Sequence, residues 1–186
     1  MAACIRLSAV ILRLNEINGA VGENGMSSKI YVMRQEQWIS RPIDQVFAFF
    51  SDAHNLETIT PPWLKFRILS VSSEQVKEGT EIAYQLSLHG IPMRWLTEIR
   101  RWNPPFRFVD VQRKGPYRLW HHTHTFEDHG DRTLMKDVVR YALPFGVLGR
   151  MVHALKVKRD VEGIFAYRRA VIEKKMAQTE TIAAKA

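Results

Sequence analysis

Between Gly115 and Pro144 apolar and polar residues alternate more clearly than anywhere else in the chain. Trp120, His122, His124 and Phe126 fall on one parity, and Met135, Asp137, Val139, Tyr141 and Leu143 share one parity of the segment that follows. Successive side chains of a strand point to opposite faces, so each set lies on one face. Asp128-His129-Gly130-Asp131 lies between them, with a glycine to take a positive φ, and predicts a tight hairpin. Setting Glu127 opposite Arg132 places His124 opposite Met135, His122 opposite Asp137 and Trp120 opposite Val139. This face is mostly apolar and aromatic, which predicts that it points inward. Two imidazoles and a carboxylate are costly to bury there unless they are paired or line a wet or ligand-filled space. The hairpin therefore predicts a cavity.

The remaining pattern supplies the frame. Ile30–Ile39 alternates as a strand, Arg41-Pro42-Ile43-Asp44 opens a helix through Phe50, and Ala53–Thr58 reads as a second short helix. Thr60-Pro61-Pro62-Trp63 ends it, because consecutive prolines cannot continue a helix. Strands are predicted over Lys65–Ser73, Thr80–His89, Met93–Trp102 and Phe106–Arg113, with Gly90-Ile91-Pro92 read as a break. From Val147 to Met176 the period becomes that of an amphipathic helix, with positions 151, 155, 161, 165 and 168 on its apolar face. Short connections between strands imply an antiparallel meander. The fold class is α+β: a curved antiparallel sheet wrapped around one long C-terminal helix, with two short helices after the first strand. Residues 29–176 form one domain, 1–28 read as a disordered or optional extension, and 177–186 as a frayed tail.

Composition adds limits. The 186 residues are 46% hydrophobic and 25% charged, ordinary for a globular domain. One cysteine, Cys4, excludes an internal disulfide and gives no metal-binding spacing. The net charge of +8 comes from scattered residues, densest in Arg94–Arg101, Lys156–Arg159 and Arg168–Lys175. No nucleic-acid-binding signature accompanies them, and no nucleic-acid partner is expected. The apolar run Ile5–Leu14 is interrupted by Arg6 and Arg13, too short to span a membrane and poor as a signal peptide. A cytoplasmic protein is expected. No nucleophile elbow, phosphate loop or dinucleotide glycine pattern is present, and no cofactor is expected.

Candidate chemistry gathers on the hairpin. His122 or His124 with Asp137 reads either as an acid/base pair in a cavity or as a satisfied polar pair that fixes register. Histidines at i and i+2 can chelate a metal, with Asp137 as third ligand, but nothing else completes a tetrahedral set, so no metal is expected. His121 belongs to the opposite face. Phe106, Phe108, Asp110 and Gln112 share a parity that the two phenylalanines mark as inward, leaving Arg107, Val109, Val111 and Arg113 outside. Met93, Trp95, Thr97 and Ile99 share a face, as do Tyr84, Leu86 and Leu88, and a buried Tyr84 hydroxyl needs a partner. The apolar loops Thr60–Leu64 and Pro144–Leu148 read as covers over the domain or as sites of transient membrane contact.

Several strings carry a resemblance: FAFFSDAHNLETITPPWLKF at Phe47–Phe66, HGIPMRW at His89–Trp95, WNPPFRFVDVQRKGPYRLWHHTHTFE at Trp102–Glu127, YALPFGVLGR at Tyr141–Arg150 and IFAYR at Ile164–Arg168. With the element order, these resemble the helix-grip fold of the START/SRPBCC superfamily, in a bacterial group described as polyketide cyclase/dehydrase-like or coenzyme Q-binding START-like. The resemblance implies a cavity between sheet and long helix for a small hydrophobic ligand of lipid, isoprenoid-quinone or polyketide type. Expected lining residues are Tyr84, Trp95, Phe108, Gln112, Trp120, His122, His124 and Asp137, roofed by Met151, Leu155 or Phe165. A non-enzymatic binding protein is the leading expectation. Its rivals are a cyclase or dehydratase using the His–Asp pair, and an interaction domain for an epimerase-like partner, since some members of the group are fused to such a domain.

Overall fold

The computed structural model describes residues 29–144, 150–151 and 153–183. The expectations for residues 1–28, and for Phe145–Leu148 within the second apolar loop, fall outside the described residues. Seven antiparallel strands form one sheet: β1 (Tyr31–Ile39), β2 (Arg67–Val71), β3 (Glu81–Leu88), β4 (Ile91–Asn103), β5 (Arg107–Lys114), β6 (Leu119–Asp128) and β7 (Thr133–Ala142). Their order in the sheet is β1-β7-β6-β5-β4-β3-β2. The helices α1 (Ile43–Ser51) and α2 (Asn55–Ile59), with a 3₁₀ turn at Pro62–Leu64, carry the chain from one edge strand to the other. A π-helical turn at His153–Val157 leads into the long helix α3 (Lys158–Ala183). The architecture is the helix-grip α+β arrangement. α3 is helical to Ala183.

Register shifts between Leu96 and Thr97, between Ile99 and Arg101, and between Ile68 and Ser70 mark irregularities in the sheet. Extra residues of this kind bend a strand and increase its twist, which gives the sheet a concave face. Into that face pack Val46 and Phe47 of α1 and Ile172 of α3, against Phe108, Phe126 and Met135. Burying each large apolar side chain contributes about 1.5–3 kcal/mol, so this cluster anchors both helices. Polar ties add to it. The Gln37 side-chain amide donates to the Arg169 carbonyl at 2.9 Å, and the Arg41 guanidinium donates twice to the Met176 carbonyl, at 3.0 and 2.9 Å. His89, at the tip of the β3–β4 hairpin, lies 2.9 Å from Asp160 in the first turn of α3.

Two turn readings are corrected. Gly90-Ile91-Pro92 is not a break: His89 and Gly90 both take positive φ and make a two-residue turn, and β4 begins at Ile91. Pro92 is tolerated because it lies before the stretch where β4 pairs with β5. In the β6–β7 hairpin the loop is His129–Arg132, closed by the His129 N–H donating to the Arg132 carbonyl at 2.9 Å. The Asp128 carboxylate accepts from the Gly130 N–H at 2.9 Å, which keeps Asp128 in the strand. The register therefore moves by two: His124 faces Asp137, His122 faces Val139 and Trp120 faces Tyr141. A shift of two preserves parity, so the expected faces are kept.

Candidate functional site

A cavity of about 280 Å³ lies between the concave face and α3. Its wall is mostly aliphatic and aromatic, drawn from the strands (Ile82, Leu86, Met93, Ile99), from α1 and the α2 region (Phe50, Leu56) and from α3 (Val161, Ile164, Phe165). Tyr84, Trp95, Phe108, Trp120, His122, His124 and Phe165 all line it. Four residues named from the sequence do not. Met151 and Leu155 are 57% and 76% exposed. The π-helical turn inserts an extra residue per turn and rotates the helix face, so the inward positions run 153, 157, 161 and 165 rather than 151 and 155. Gln112 turns aside: its side-chain amide donates to the Tyr117 carbonyl at 2.6 Å and accepts from the Tyr117 N–H at 3.2 Å. Glycine at 115 leaves room for this clamp, because a Cβ there would press on the Gln112 side-chain amide and displace it. The clamp presents Pro116 and Tyr117 to the cavity. Asp137 is buried behind the histidines rather than at the wall.

On β5, Phe106 is 51% exposed in the turn before the strand, a correction to its inward assignment. Val109 and Val111, on the other parity, are buried nonetheless. His121 lies on that opposite parity as well.

The polar end of the cavity is a four-membered arrangement on three adjacent strands. Asp110 on β5 is directly opposite His122 on β6, and His124 is directly opposite Asp137 on β7. His122 Nε2 is 3.0 Å from Asp137 Oδ1, and its Nδ1 is 3.4 Å from Asp110 Oδ2. His124 Nε2 is 2.9 Å from Asp110 Oδ2, and its Nδ1 is 2.8 Å from Asp137 Oδ1. Each imidazole thus stands between the two carboxylates, and the two rings lie 3.7 Å apart. Burial would raise both carboxyls, but the neighbouring imidazoles override it and hold Asp110 and Asp137 below the ordinary range. The histidines part in opposite directions. Burial and the charge of His124 push His122 down, whereas the bonds from Asp110 and Asp137 overcome burial and raise His124. Adjacent rings in one low-dielectric site tolerate one positive charge more readily than two.

Three further groups complete the polar complement. The Tyr84 hydroxyl is 3.1 Å from the Thr97 hydroxyl across β3 and β4, and its acidity is suppressed chiefly by burial. The Trp95 indole N–H is buried without a hydrogen-bond partner among the described residues. Arg168, on the cavity side of α3, holds its guanidinium 5.7 Å from the Phe50 ring centre. The sequence signal for Arg168 is its place in the apolar phase of the helix. Asp110 was legible from strand parity, but its contact with both histidines depended on the true register. Tyr117 was not singled out, since nothing in its local pattern distinguishes it.

The sequence matches the family model for polyketide cyclase/dehydrase and lipid transport over residues 39–163, more than half of the chain. The chain belongs to this family. Among curated proteins none matches. Solved structures show the same fold at low identity. The Zhui aromatase/cyclase from Streptomyces sp. R1128 is 13% identical, with a TM-score of 0.65, over 81% of this chain and 95% of that one. A norcoclaurine synthase point mutant from Thalictrum flavum, in complex with a transition-state analogue, is 13% identical with a TM-score of 0.65, over 84% and 99%. A START superfamily protein from Mycobacterium smegmatis is 13% identical with a TM-score of 0.61, over 80% and 98%. No helix among the described residues is long and apolar enough to cross a membrane.

Proposed function

We propose that this chain binds a small, compact hydrophobic molecule carrying at least one acceptor oxygen. The observation that carries this is the cavity itself: an apolar wall with the Asp110–His122–His124 surface at one end and the unpartnered Trp95 indole N–H in its lining. A buried donor without a partner costs about 1–3 kcal/mol, a cost that a carbonyl or phenol oxygen on a bound molecule would remove. At about 280 Å³ the space lies near the lower end of small-molecule sites. It suits one or two rings of polyketide or quinone-head type better than a full lipid chain or isoprenoid tail. Phe50, Phe108 and Trp120 supply faces on which such rings stack.

The second reading is a cyclase or dehydratase. It is favoured by the opposed behaviour of His122 and His124 in one cavity wall, since paired groups pushed apart suit proton donation and acceptance at a carbonyl. The neutral hydroxyls of Tyr84 and Tyr117 would then position the substrate. Membrane contact at Trp63, 58% exposed and packed edge-on against Tyr167, and an epimerase-like partner gain no further argument from the described residues.

The test begins with native mass spectrometry of protein purified from its own host, followed by extraction of any bound molecule. A neutral fluorescent probe, N-phenyl-1-naphthylamine, then reports on the cavity. Ile164→Trp and Leu86→Trp fill the wall and are expected to weaken probe binding by roughly tenfold or more. Leu155→Trp, on the exposed side, is expected to leave it unchanged. Equal probe binding in all three variants would refute the cavity reading.

A further inference from the structure

We infer that Asp110, His122 and His124 form a site for one divalent first-row transition-metal ion, open toward the cavity, with Asp137 behind both histidines and bonded to His122. The donor atoms Asp110 Oδ2, His122 Nδ1 and His124 Nε2 lie within 4.8 Å of one another. Asp110 Oδ2 is 3.4 Å from His122 Nδ1 and 2.9 Å from His124 Nε2. Ligands about 2.0–2.1 Å from a tetrahedral ion stand about 3.3 Å apart, close to both Asp110 separations, and the remaining adjustment is in the spacing of the two histidine nitrogens, at most 4.8 Å.

The second carboxylate makes the arrangement more than a buried ion-pair cluster. Asp137 Oδ1 meets the far nitrogen of each ring, Nε2 of His122 at 3.0 Å and Nδ1 of His124 at 2.8 Å. Of these two contacts the His122 one is a formed hydrogen bond, whereas His124 Nδ1 lies close to Asp137 outside hydrogen-bonding geometry. A histidine ligand typically has its other nitrogen held by a carboxylate as His122 has, which fixes the ring and raises its basicity. Asp137 thus orients His122 and closely flanks His124, and both rings offer their remaining nitrogens toward Asp110. Asp110, His122 and His124 line the cavity, whereas Asp137 does not, so the remaining coordination positions would face a bound molecule. Charge agrees: the site holds two carboxylates, and a dication bound to neutral imidazoles would cancel their −2. The strands add rigidity, because the three donors come from positions paired across β5 and β6.

Two imidazoles and one carboxylate suit Zn²⁺, Fe²⁺ or Co²⁺ rather than Mg²⁺ or Ca²⁺, which prefer oxygen-only sites. Such an ion would act as a Lewis acid on the acceptor oxygen of the bound molecule. The inference does not depend on which molecule that is.

The test strips the full-length protein with a chelator and titrates it with Co²⁺. One equivalent is expected to bind, with the visible absorption of a four- or five-coordinate ion, and Zn²⁺ is expected to bleach it. His122→Gln and His124→Gln should each weaken binding by roughly 100-fold or more, and Asp137→Asn by roughly tenfold. His89→Gln should change nothing. A wild-type protein without the absorption band, or a band that survives in both histidine variants, overturns the inference. Should either variant fail to fold, proton NMR of the wild type decides. Co²⁺ at sub-stoichiometric ratio must broaden the ring signals of His122 and His124, and broadening confined to His54, His89 or His129 overturns the inference. Loss of the metal result with naphthylamine binding retained leaves the cavity reading intact, which separates the two failures.

Discussion

Two histidine clusters hang on β7, four residues apart and on the same face of the strand, and they behave differently. At Asp137 the strand meets His122 and His124. At Tyr141 it meets His153, whose Nε2 lies 2.9 Å from the Tyr141 hydroxyl and whose ring stacks on Tyr31 with centres 3.3 Å apart. In the first cluster the partners are carboxylates, which outweigh burial at His124 but not at His122. In the second the partner is a phenol, and burial, with Lys29 and Lys158 nearby, pushes His153 below its ordinary value. Burial lowers all three rings, and only at His124 do the contacts with two carboxylates outweigh it. Position decides the use: His122 and His124 face the cavity, whereas His153 docks the π-helical turn onto β1 and β7.

The comparison is broken most directly by removing the shared carboxylate. Asp137→Leu leaves the two imidazoles with Asp110 as their only carboxylate, and losing one member of a buried ion pair costs about 3–5 kcal/mol. Tyr141→Phe removes a single neutral hydrogen bond, worth about 0.5–1.5 kcal/mol. Urea unfolding of both variants measures the gap. Similar losses would mean that the Asp137 cluster is no more integrated than the His153 stack.

Asp137→Asn sharpens the same contrast at smaller amplitude. It keeps the shape and removes the charge, so it should destabilise the protein by less than Asp137→Leu. Naphthylamine binding should be nearly unaffected, because Asp137 is behind the cavity wall. A probe affinity that falls as far as stability would place Asp137 at the ligand instead.

The same two clusters show what the sequence could express. Strand parity was legible because alternation is a local signal, and it placed His122, His124, Asp110 and Phe108 on the concave face before any tertiary contact was known. The exact cross-strand partners were not legible, because they depend on whether Asp128 belongs to the loop or the strand, a choice made by its hydrogen bond to Gly130. His153 was missed, and Met151 and Leu155 misassigned, for one common reason. A regular 3.6-residue period cannot reveal a π-helical turn, whose extra residue arises where the helix meets Tyr31 and Tyr141. The wall of the cavity was readable from local pattern, while its roof was set by packing.

The finest distinction concerns pH. His153 is held below its ordinary value first by burial and then by Lys29 and Lys158, with Glu162 acting in the opposite sense and Tyr141 as its hydrogen-bond partner. Its unfolded value is about 6.5. Above that pH the ring is neutral in both states, and its contribution to stability is fully present. As pH falls below about 6.5 the unfolded chain takes up a proton that the folded chain resists, so stability declines until the depressed folded value is passed. The His153→Gln variant keeps a donor or acceptor for Tyr141 but cannot titrate. Between pH 7 and pH 5, wild type should therefore lose more stability than His153→Gln, with the carboxylates that titrate lower down common to both. An NMR titration of the His153 ring with its midpoint above 6.5, or a variant whose stability falls as steeply as that of wild type, would show that the Tyr31–Tyr141 pocket accepts the charged ring. The contrast between the phenol-paired and carboxylate-paired histidines would then lie in position alone.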